Sequence, residues 1–399
     1  MATFSVRFLG CKVSHSDAQA LRERLVADGH EERLDGAADV AVVNTCCVTH
    51  EAVSKSRQAA SRAARTHGRV YVTGCGANLG GEAMAGLPEN VLVVARPSEE
   101  IAEAVAGDVG AIGCVQADAR LDRVRAFVKV QDGCSFRCNF CVIPMVRGAS
   151  RSRSADAVLA EIRKRVRQGH REIVLTGINL GCYRDRNAGF TLASLVREAG
   201  AVQGVERLRL SSIEINHVNR ELIAALRETP VAAGHLHVPL QSGDDRVLRA
   251  MGRRYTAATY LRRLADLGDF NLTADAIVGF PAEDERAFER TLDVVRQARI
   301  TKVHVFPYSP RPGTVTADED SIPPQVKKER GARLRALSHD ACLKRWREKV
   351  GHDDVVLVDR PGRGYGDDYS PWLVDSGVPV GRLLPVRGLE VTEEGILAA

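Results

Sequence analysis

The chain has 399 residues, 44% apolar and 27% charged, enough for two or three globular domains with real cores, which argues against disorder. No apolar run approaches the roughly 18 residues needed to span a bilayer, and the opening MATFSVRFLGC lacks the basic-then-apolar layout of a secretory signal, so a cytoplasmic protein with no membrane partner is expected. The net charge of +5 is uneven: residues 352–399 hold nine acids against four arginines, leaving about +10 on the remainder, a balance suited to a polyanion.

Apolar runs of four to eight Val-, Ile- and Leu-rich residues alternate with longer amphipathic stretches rich in Ala, Arg and Glu, which predicts an α/β fold of β-α units around parallel sheets. Strands are predicted at 4–9, 40–44 and 70–73, with helices at 16–28 and 51–66; the looser stretch from about 95 to 123 reads as a linker. A second series follows at 125–131, 172–177, 207–212, 235–240, 274–280 and 302–309, each run trailed by a helical pattern such as 155–168. Six consecutive β-α units suggest a partial (β/α)6 barrel that works at the C-terminal ends of its strands. From about residue 352, short strands broken by Gly and Pro predict a small all-β module. The expected domains are an N-terminal open parallel α/β domain at 1–120, the partial barrel at 121–345 and the β module at 346–399.

Ten cysteines in a chain of this kind point to metal or redox ligands rather than disulfides. "QDGCSFRCNFCVIP" sets Cys134, Cys138 and Cys141 in a CxxxCxxC loop just after a strand. Three thiolates on one tight loop can hold three corners of a cubane iron–sulfur cluster and leave one iron open. Structural zinc is the alternative, but it normally takes four ligands, and no second pair lies nearby. Cys11, Cys46 and Cys75 each follow one of the first three strands, in "FLGCKV", "VVNTCCV" and "VTGCGAN". In an open parallel sheet the loops after the strands gather on one edge, so these sulfurs should converge there. A single such cysteine would read as a small buried hydrophobe; three at equivalent strand ends favour ligands.

The CxxxCxxC spacing, with Phe140 directly before the last cysteine, resembles the radical S-adenosylmethionine enzymes. The resemblance implies a [4Fe–4S] cluster whose open iron chelates S-adenosylmethionine, which one-electron reduction cleaves to a 5′-deoxyadenosyl radical. It also implies cofactor contacts at later strand ends: Thr176, Gly177 and Asn179, where the family's usual Gly-Gly-Glu is not present as such, then Ser212 and Glu214, and then His237, Gln241 and Ser242. Without the resemblance, His237 and Gln241 serve equally well as structural turn residues.

"LGCKV", "NTCCVT" and "TGC" followed by "GCSFRCNFC" resemble the methylthiotransferase branch of these enzymes over essentially the whole chain. This implies a second [4Fe–4S] cluster on Cys11, Cys46 and Cys75 that holds the sulfur to be inserted, and it likens the C-terminal module to a TRAM domain. The family pattern puts its ligand directly after Asn-Thr, so Cys46 matches it and Cys47 is expected to be a passenger facing away. Two molecules of S-adenosylmethionine are implied, one methylating the sulfur and one making the radical, together with a sulfur donor and an electron donor such as flavodoxin or ferredoxin. No catalytic residue beyond the cluster ligands is implied. Cys114, Cys182 and Cys342 occur singly and read as structural thiols.

Branches of the family act on isopentenyl- or threonylcarbamoyl-adenosine beside the tRNA anticodon, or on an aspartate of a ribosomal protein. "LGCKVSHSDAQAL", "GINLGCY", "LTADAIVGFP" and "HVFPYSPRPGT" most resemble the threonylcarbamoyladenosine branch, while Lys12 stands where the ribosomal branch usually has Pro. A tRNA partner also suits two basic stretches. Residues 54–69 carry Lys55, Arg57, Arg62, Arg65 and Arg69 without an acid, and residues 147–171 carry eight basic residues against Asp156 and Glu161. Each stretch serves equally as a solvated helix face. The acidic β module either stacks RNA on Tyr365, Tyr369 or Trp372 or is mainly structural. A rival reading from another class is a non-catalytic tRNA-binding or cluster-carrier protein.

Overall fold

The computed structural model describes residues 2–34, 37–110 and 124–399. It divides into two compact units. The first comprises Met1–Asp122, Asp132–Arg151 and Arg311–Val315; the second comprises Arg123–Gln131, Ser152–Pro310 and Thr316–Ala399. Among the described residues no helix is long and apolar enough to cross a membrane.

The first unit is built on β1 (Thr3–Phe8), α1 (Lys12–Ala27), β2 (Glu31–Glu32), β3 (Val40–Thr45), α2 (His50–Ala63), β4 (Arg69–Gly74), α3 (Cys75–Leu79), β5 (Val91–Val93) and α4 (Ser98–Val109). The strands form one parallel sheet in the order β2-β1-β3-β4-β5. Alternation along β3 shows why both faces are apolar. Val40 and Val42 join Leu21, Leu25, Ile101 and Val105 on one side, while Ala41 and Val43 join Ala59, Ala60 and Met84 on the other. Thus α1 and α4 cover one face and α2 the other.

Two predictions change here. Helix α1 begins at Lys12 rather than residue 16, with Cys11 as its extended N-cap residue. The linker expected at 95–123 contains α4, whose Ile101, Val105 and Ala106 complete a core face that β1, β3 and α1 leave open; Cys114 lies outside the described residues.

The chain continues through β6 (Arg125–Asp132), the cysteine loop, the short α5 (Ile143–Arg147) and β7 (Arg151–Ser152). The second unit then runs through α6 (Ala155–Arg167), β8 (Glu172–Gly177), the pair β9 (Arg184–Asp185) and β10 (Phe190–Thr191), α7 (Leu192–Gly200), β11 (Arg207–Leu210) and α8 (Arg220–Glu228). It continues with β12 (His235–His237), α9 (Asp245–Ala250), α10 (Ala257–Ala265), β13 (Asn271–Val278), α11 (Glu285–Gln297), β14 (Ile300–Pro307) and α12 (Pro324–Arg347). Strands β6, β8 and β11 pair in parallel, as do β12, β13 and β14. The parallel bridges Leu208–Ala232 and Ser212–His237 join the two sheets into the six-stranded partial barrel that was expected.

The C-terminal module is a closed five-stranded barrel of β15 (Asp353–Arg360), β16 (Arg363–Tyr365), β17 (Pro371–Leu373), β18 (Leu383–Val391) and β19 (Ile396–Ala398) around the fully buried Trp372. It contacts residues at the N-terminal ends of the partial-barrel strands. Glu172, the buried first residue of β8, meets Arg125 of β6 at 2.9 Å and Arg207 and Arg209 of β11 at 3.2 and 2.8 Å. Arg209 donates onward to the Asp367 and Gly366 carbonyls at 2.6 and 2.7 Å, and Arg207 donates to the Val355 carbonyl. Tyr365 and Tyr369 stack on each other beneath the Arg125 guanidinium, and Tyr369 also stacks on His235. Three of the module's acids pair in the same way: Asp359 with Arg125, Asp367 with Arg207, and Asp368 with Arg345 and Lys349. Of the two roles open to the module's aromatics, the structural one is seen, because Trp372 is core and both tyrosines are engaged in docking.

Candidate functional site

The registers Phe8–Asn44 and Thr45–Gly74 bring the ends of β1, β3 and β4 level, so the residues that follow gather on one edge. Two glycines permit the approach. At Gly10 (φ +134°) a Cβ would stand 2.8 Å from Ser14 Oγ and 3.5 Å from Cys46 Cβ. At Gly74 (φ +85°) it would stand 2.3 Å from Asn44 Oδ1. Thr45 Oγ1 donates to the Thr73 carbonyl at 2.6 Å and accepts from Ala77 N at 3.2 Å, which ties the end of β3 to β4 and α3. Cys46 is fixed by its own N–H, which donates to Ser56 Oγ at 3.1 Å.

Cys47 does not face away. It is fully buried, packs with Cys75, Val142 and Val146, and its thiol donates to the Cys75 sulfur. The expected divergence of neighbouring side chains holds on an extended strand, but β3 ends at Thr45, and residues 46 and 47 lie in the irregular segment before Thr49 caps α2. Electrostatics separate the thiols. The hydrogen bond from Cys47, followed by the charge and hydrogen bond of Arg147, outweighs burial and lowers Cys75 to about 6. Burial pushes Cys46 up to about 11, and the nearby Cys75 and Cys11 sulfurs add to the rise. Cys47 rises because it gives its proton to the Cys75 hydrogen bond and is itself buried.

The CxxxCxxC loop belongs to the same unit. Gly133 (φ +69°) starts it with its α-carbon so close to the Ala149 carbonyl that a Cβ would stand 2.2 Å away. Cys134 N donates to the Gly148 carbonyl at 3.0 Å and closes the loop, and Cys141 N donates to the Cys138 carbonyl at 3.1 Å. Phe136 N donates to Cys134 Sγ at 3.4 Å, the kind of N–H···S bond that steadies a thiolate ligand.

Arg147, at the end of α5, is buried and serves three partners. Its Nε donates to Cys75 Sγ at 3.0 Å, its Nη1 to both Asp132 oxygens at 3.0 and 3.1 Å, and its Nη2 to Asp17 Oδ2 at 2.9 Å. One planar fork thereby fastens the cysteine loop to α1 and to the third strand-end cysteine. Arg147 therefore leaves the basic stretch 147–171, as does Arg165, buried against Glu161.

In the second unit the strand ends carry the expected cofactor contacts in mixed states. Among the described residues Thr176 Oγ1 and, beside the predicted Ser212, Ser211 Oγ are buried without a hydrogen-bond partner, so both are available to a bound ligand. A Cβ on Gly177 would stand 2.9 Å from Gln131 Oε1, the same oxygen that accepts from Asn179 N at 2.8 Å. Gln131, at the end of β6, thus positions the Thr176–Asn179 turn, a role sequence reasoning missed.

Glu214 accepts from Asn216 N at 2.8 Å and meets Arg253 at 3.4 Å. His237 is held by Thr273 Oγ1 at 2.9 Å and Asp275 Oδ1 at 3.2 Å, and Ser242 Oγ accepts from Asp244 N at 3.2 Å. Gln241 sits at φ +64°, strained for a residue with a side chain. Its backbone is hooked to β13 through the Asp275 carbonyl and Ile277 N, both at 2.9 Å. Cys182 Sγ lies 3.4 Å from His217 Nε2, and Cys342 Sγ donates to the Thr301 carbonyl at 2.8 Å.

Among the described residues no group of three or more His, Cys, Asp and Glu side chains stands ready-made to hold a metal ion. The donor chemistry nevertheless fits iron–sulfur clusters: three thiols per set, an N–H···S bond at Cys134, and the buried guanidinium of Arg147 against Cys75 to balance anionic sulfur.

A partial barrel with a three-cysteine loop after its first strand defines a class, and residues 128–295 match the Radical SAM superfamily. Residues 3–95 match "Uncharacterized protein family UPF0004". The chain is 32% identical to "Threonylcarbamoyladenosine tRNA methylthiotransferase MtaB" of Thermotoga maritima, with 100% of this chain and 97% of that protein aligned. It is 38% identical to the Bacillus subtilis protein of the same name, covering 90% and 85%. It is 34% identical to "tRNA-2-methylthio-N(6)-dimethylallyladenosine synthase" of Erythrobacter litoralis, covering 97% and 95%. In fold it is similar to the radical S-adenosylmethionine methyltransferase TsrM of Kitasatospora setae, with TM-score 0.59, 14% identity and coverage of 79% and 75%.

The chain belongs to the MtaB-like methylthiotransferase family of radical S-adenosylmethionine enzymes, whose cofactors are S-adenosylmethionine and [4Fe–4S] clusters.

Proposed function

We propose that this enzyme places a methylthio group on N6-threonylcarbamoyladenosine beside a tRNA anticodon. Cys134, Cys138 and Cys141 would hold one [4Fe–4S] cluster, and Cys11, Cys46 and Cys75 a second. The observation that carries the reading is the Arg147 fork, which ties the loop of the first cysteine set to Cys75 of the second within one compact unit. When bound, the clusters and S-adenosylmethionine supply the electron, the methyl group and the hydrogen-abstracting radical.

The protein's own part is positioning. Arg147 and Asp17 hold the loop, Gln131 shapes the turn at Thr176–Asn179, and the spare hydroxyls of Thr176 and Ser211 offer hydrogen bonds to S-adenosylmethionine. Glu214, His237 and Ser242 support the same strand ends through the side-chain bonds described above, and the strained Gln241 does so through its backbone. A sulfur donor and a flavodoxin- or ferredoxin-type reductant complete the reaction.

Mass spectrometry of bulk tRNA from a strain lacking the gene is the test: the methylthio derivative of threonylcarbamoyladenosine should disappear. Loss of the dimethylallyl derivative instead would reassign the base, and unchanged levels of both would sink the tRNA reading. Reduced, cluster-loaded protein that never releases 5′-deoxyadenosine would be a carrier rather than a radical enzyme.

A further inference from the structure

One groove of the first unit is used by nothing described so far. It encloses about 690 Å³ and is lined by His50, Arg57, Arg62 and Arg65 along α2 and the turn after it, by Glu82, and by Arg311. Of the five basic residues in 54–69, Lys55 is taken by Glu51 and Arg69 by Asp108. Among the described residues Arg57, Arg62 and Arg65 have no acidic partner, and all three are exposed. Residues 57 and 65 are eight apart, about 12 Å along a helix axis, which matches three to four nucleotides of a helical strand.

Arg311 supplies the second, independent observation. It is 4% exposed. Its Nη1 donates to the Cys47 carbonyl at 3.3 Å and its Nη2 to His50 Nδ1 at 3.0 Å. Its Nε is buried without an acceptor, and no carboxylate among the described residues pairs with it. A buried guanidinium without a counter-charge is costly, and an anion entering the groove would relieve that cost. The single carboxylate in the lining, Glu82, is outnumbered.

We propose that this groove binds the phosphate backbone of the tRNA, with Arg57, Arg62 and Arg65 following successive phosphates and Arg311 binding the phosphate nearest Cys46 and Cys47. This inference rests on the tRNA reading above. The groove would thus fix the register in which the anticodon arm reaches the cysteine edge.

The test uses the full, cluster-loaded protein and tRNA from the gene-deletion strain, with affinity measured over a range of salt concentrations. Replacing Arg57, Arg62 and Arg65 together by Gln should weaken binding roughly tenfold or more near physiological salt and make the slope of log affinity against log salt shallower by about 2–3. A control removing the same charge from exposed Arg262, Arg286 and Lys328 of the second unit should leave the slope close to wild type. Arg311→Gln should lower the slope by about one while iron content stays at the wild-type level. If the wild type binds and the triple variant keeps its slope, the groove proposal falls and the tRNA reading stands. A fall in iron for Arg311→Gln with unchanged RNA affinity would overturn the phosphate role of Arg311. A wild-type protein that does not bind tRNA even at low salt would overturn both readings.

Discussion

Cys46 and Cys47 differ in their surroundings: Cys46 stands beside Gly10 and Ser56, and Cys47 is sealed among Cys75, Val142 and Val146. Cys46→Ala is expected to lower bound iron by about one cluster's worth, while Cys47→Thr keeps it; iron per protein after reconstitution checks both. Arg147 is the more demanding position, because removing it leaves Asp17 and Asp132 buried without their cation. Arg147→Met should cost about 3–5 kcal/mol in urea unfolding, and Arg147→Lys should not restore it, since one ammonium cannot span three acceptors. The cysteines were legible because their spacing is local and follows strand ends. Arg147 and Arg311 were not, because their partners Asp17 and Cys47 lie 130 and 264 positions away in sequence. In the sequence Arg147 looked like one more surface charge.

At the level of elements, the hydrophobic runs gave strand positions well, clearest at β3, which is buried on both faces and reads VAVVNT, and less clearly at strands such as β11, RLRL, where apolar and charged residues alternate. Helix α4 escaped because its few core residues are spaced among Ala, Gly and acids, a weak pattern that tertiary burial completes. Three of the module's acids, Asp359, Asp367 and Asp368, act as docking charge against Arg125, Arg207 and Arg345. Burial opposes ionisation of Glu172, but Arg209, Arg125 and Arg207 outweigh it and hold the carboxyl below the ordinary value of 4.5. A depressed acid stabilises the fold at pH values above its ordinary range and loses that contribution as pH falls through its lowered folded value. Acidification below 4.5 should therefore loosen the module. Fluorescence of the chain's two tryptophans, Trp372 in the module's core and Trp346 packed against it, should report it as a red shift. Glu172→Gln should show the shifted emission already at neutral pH, because three arginines lose their shared carboxylate.

For the whole molecule, the order of β-α units and the two cysteine sets were enough to suggest both the architecture and the family. What the sequence could not convey is that the compact units are interleaved along the chain rather than laid end to end. That arrangement has a consequence for synthesis. Residues 1–110 leave the ribosome early, yet the first unit also needs the loop 132–151 with Arg147, and the 311–315 segment with Arg311. At about 5–20 residues per second, roughly 10–40 s pass between the appearance of residue 110 and that of residue 311. Cys75 awaits Val146 and Arg147 for only the first part of that interval, and Cys47 awaits Arg311 through all of it, so the nascent chain carries thiols before it can shelter them. Slowing translation should raise their capture by a thiol-specific label, a cost that falls on the unfinished protein and vanishes once its last segments arrive.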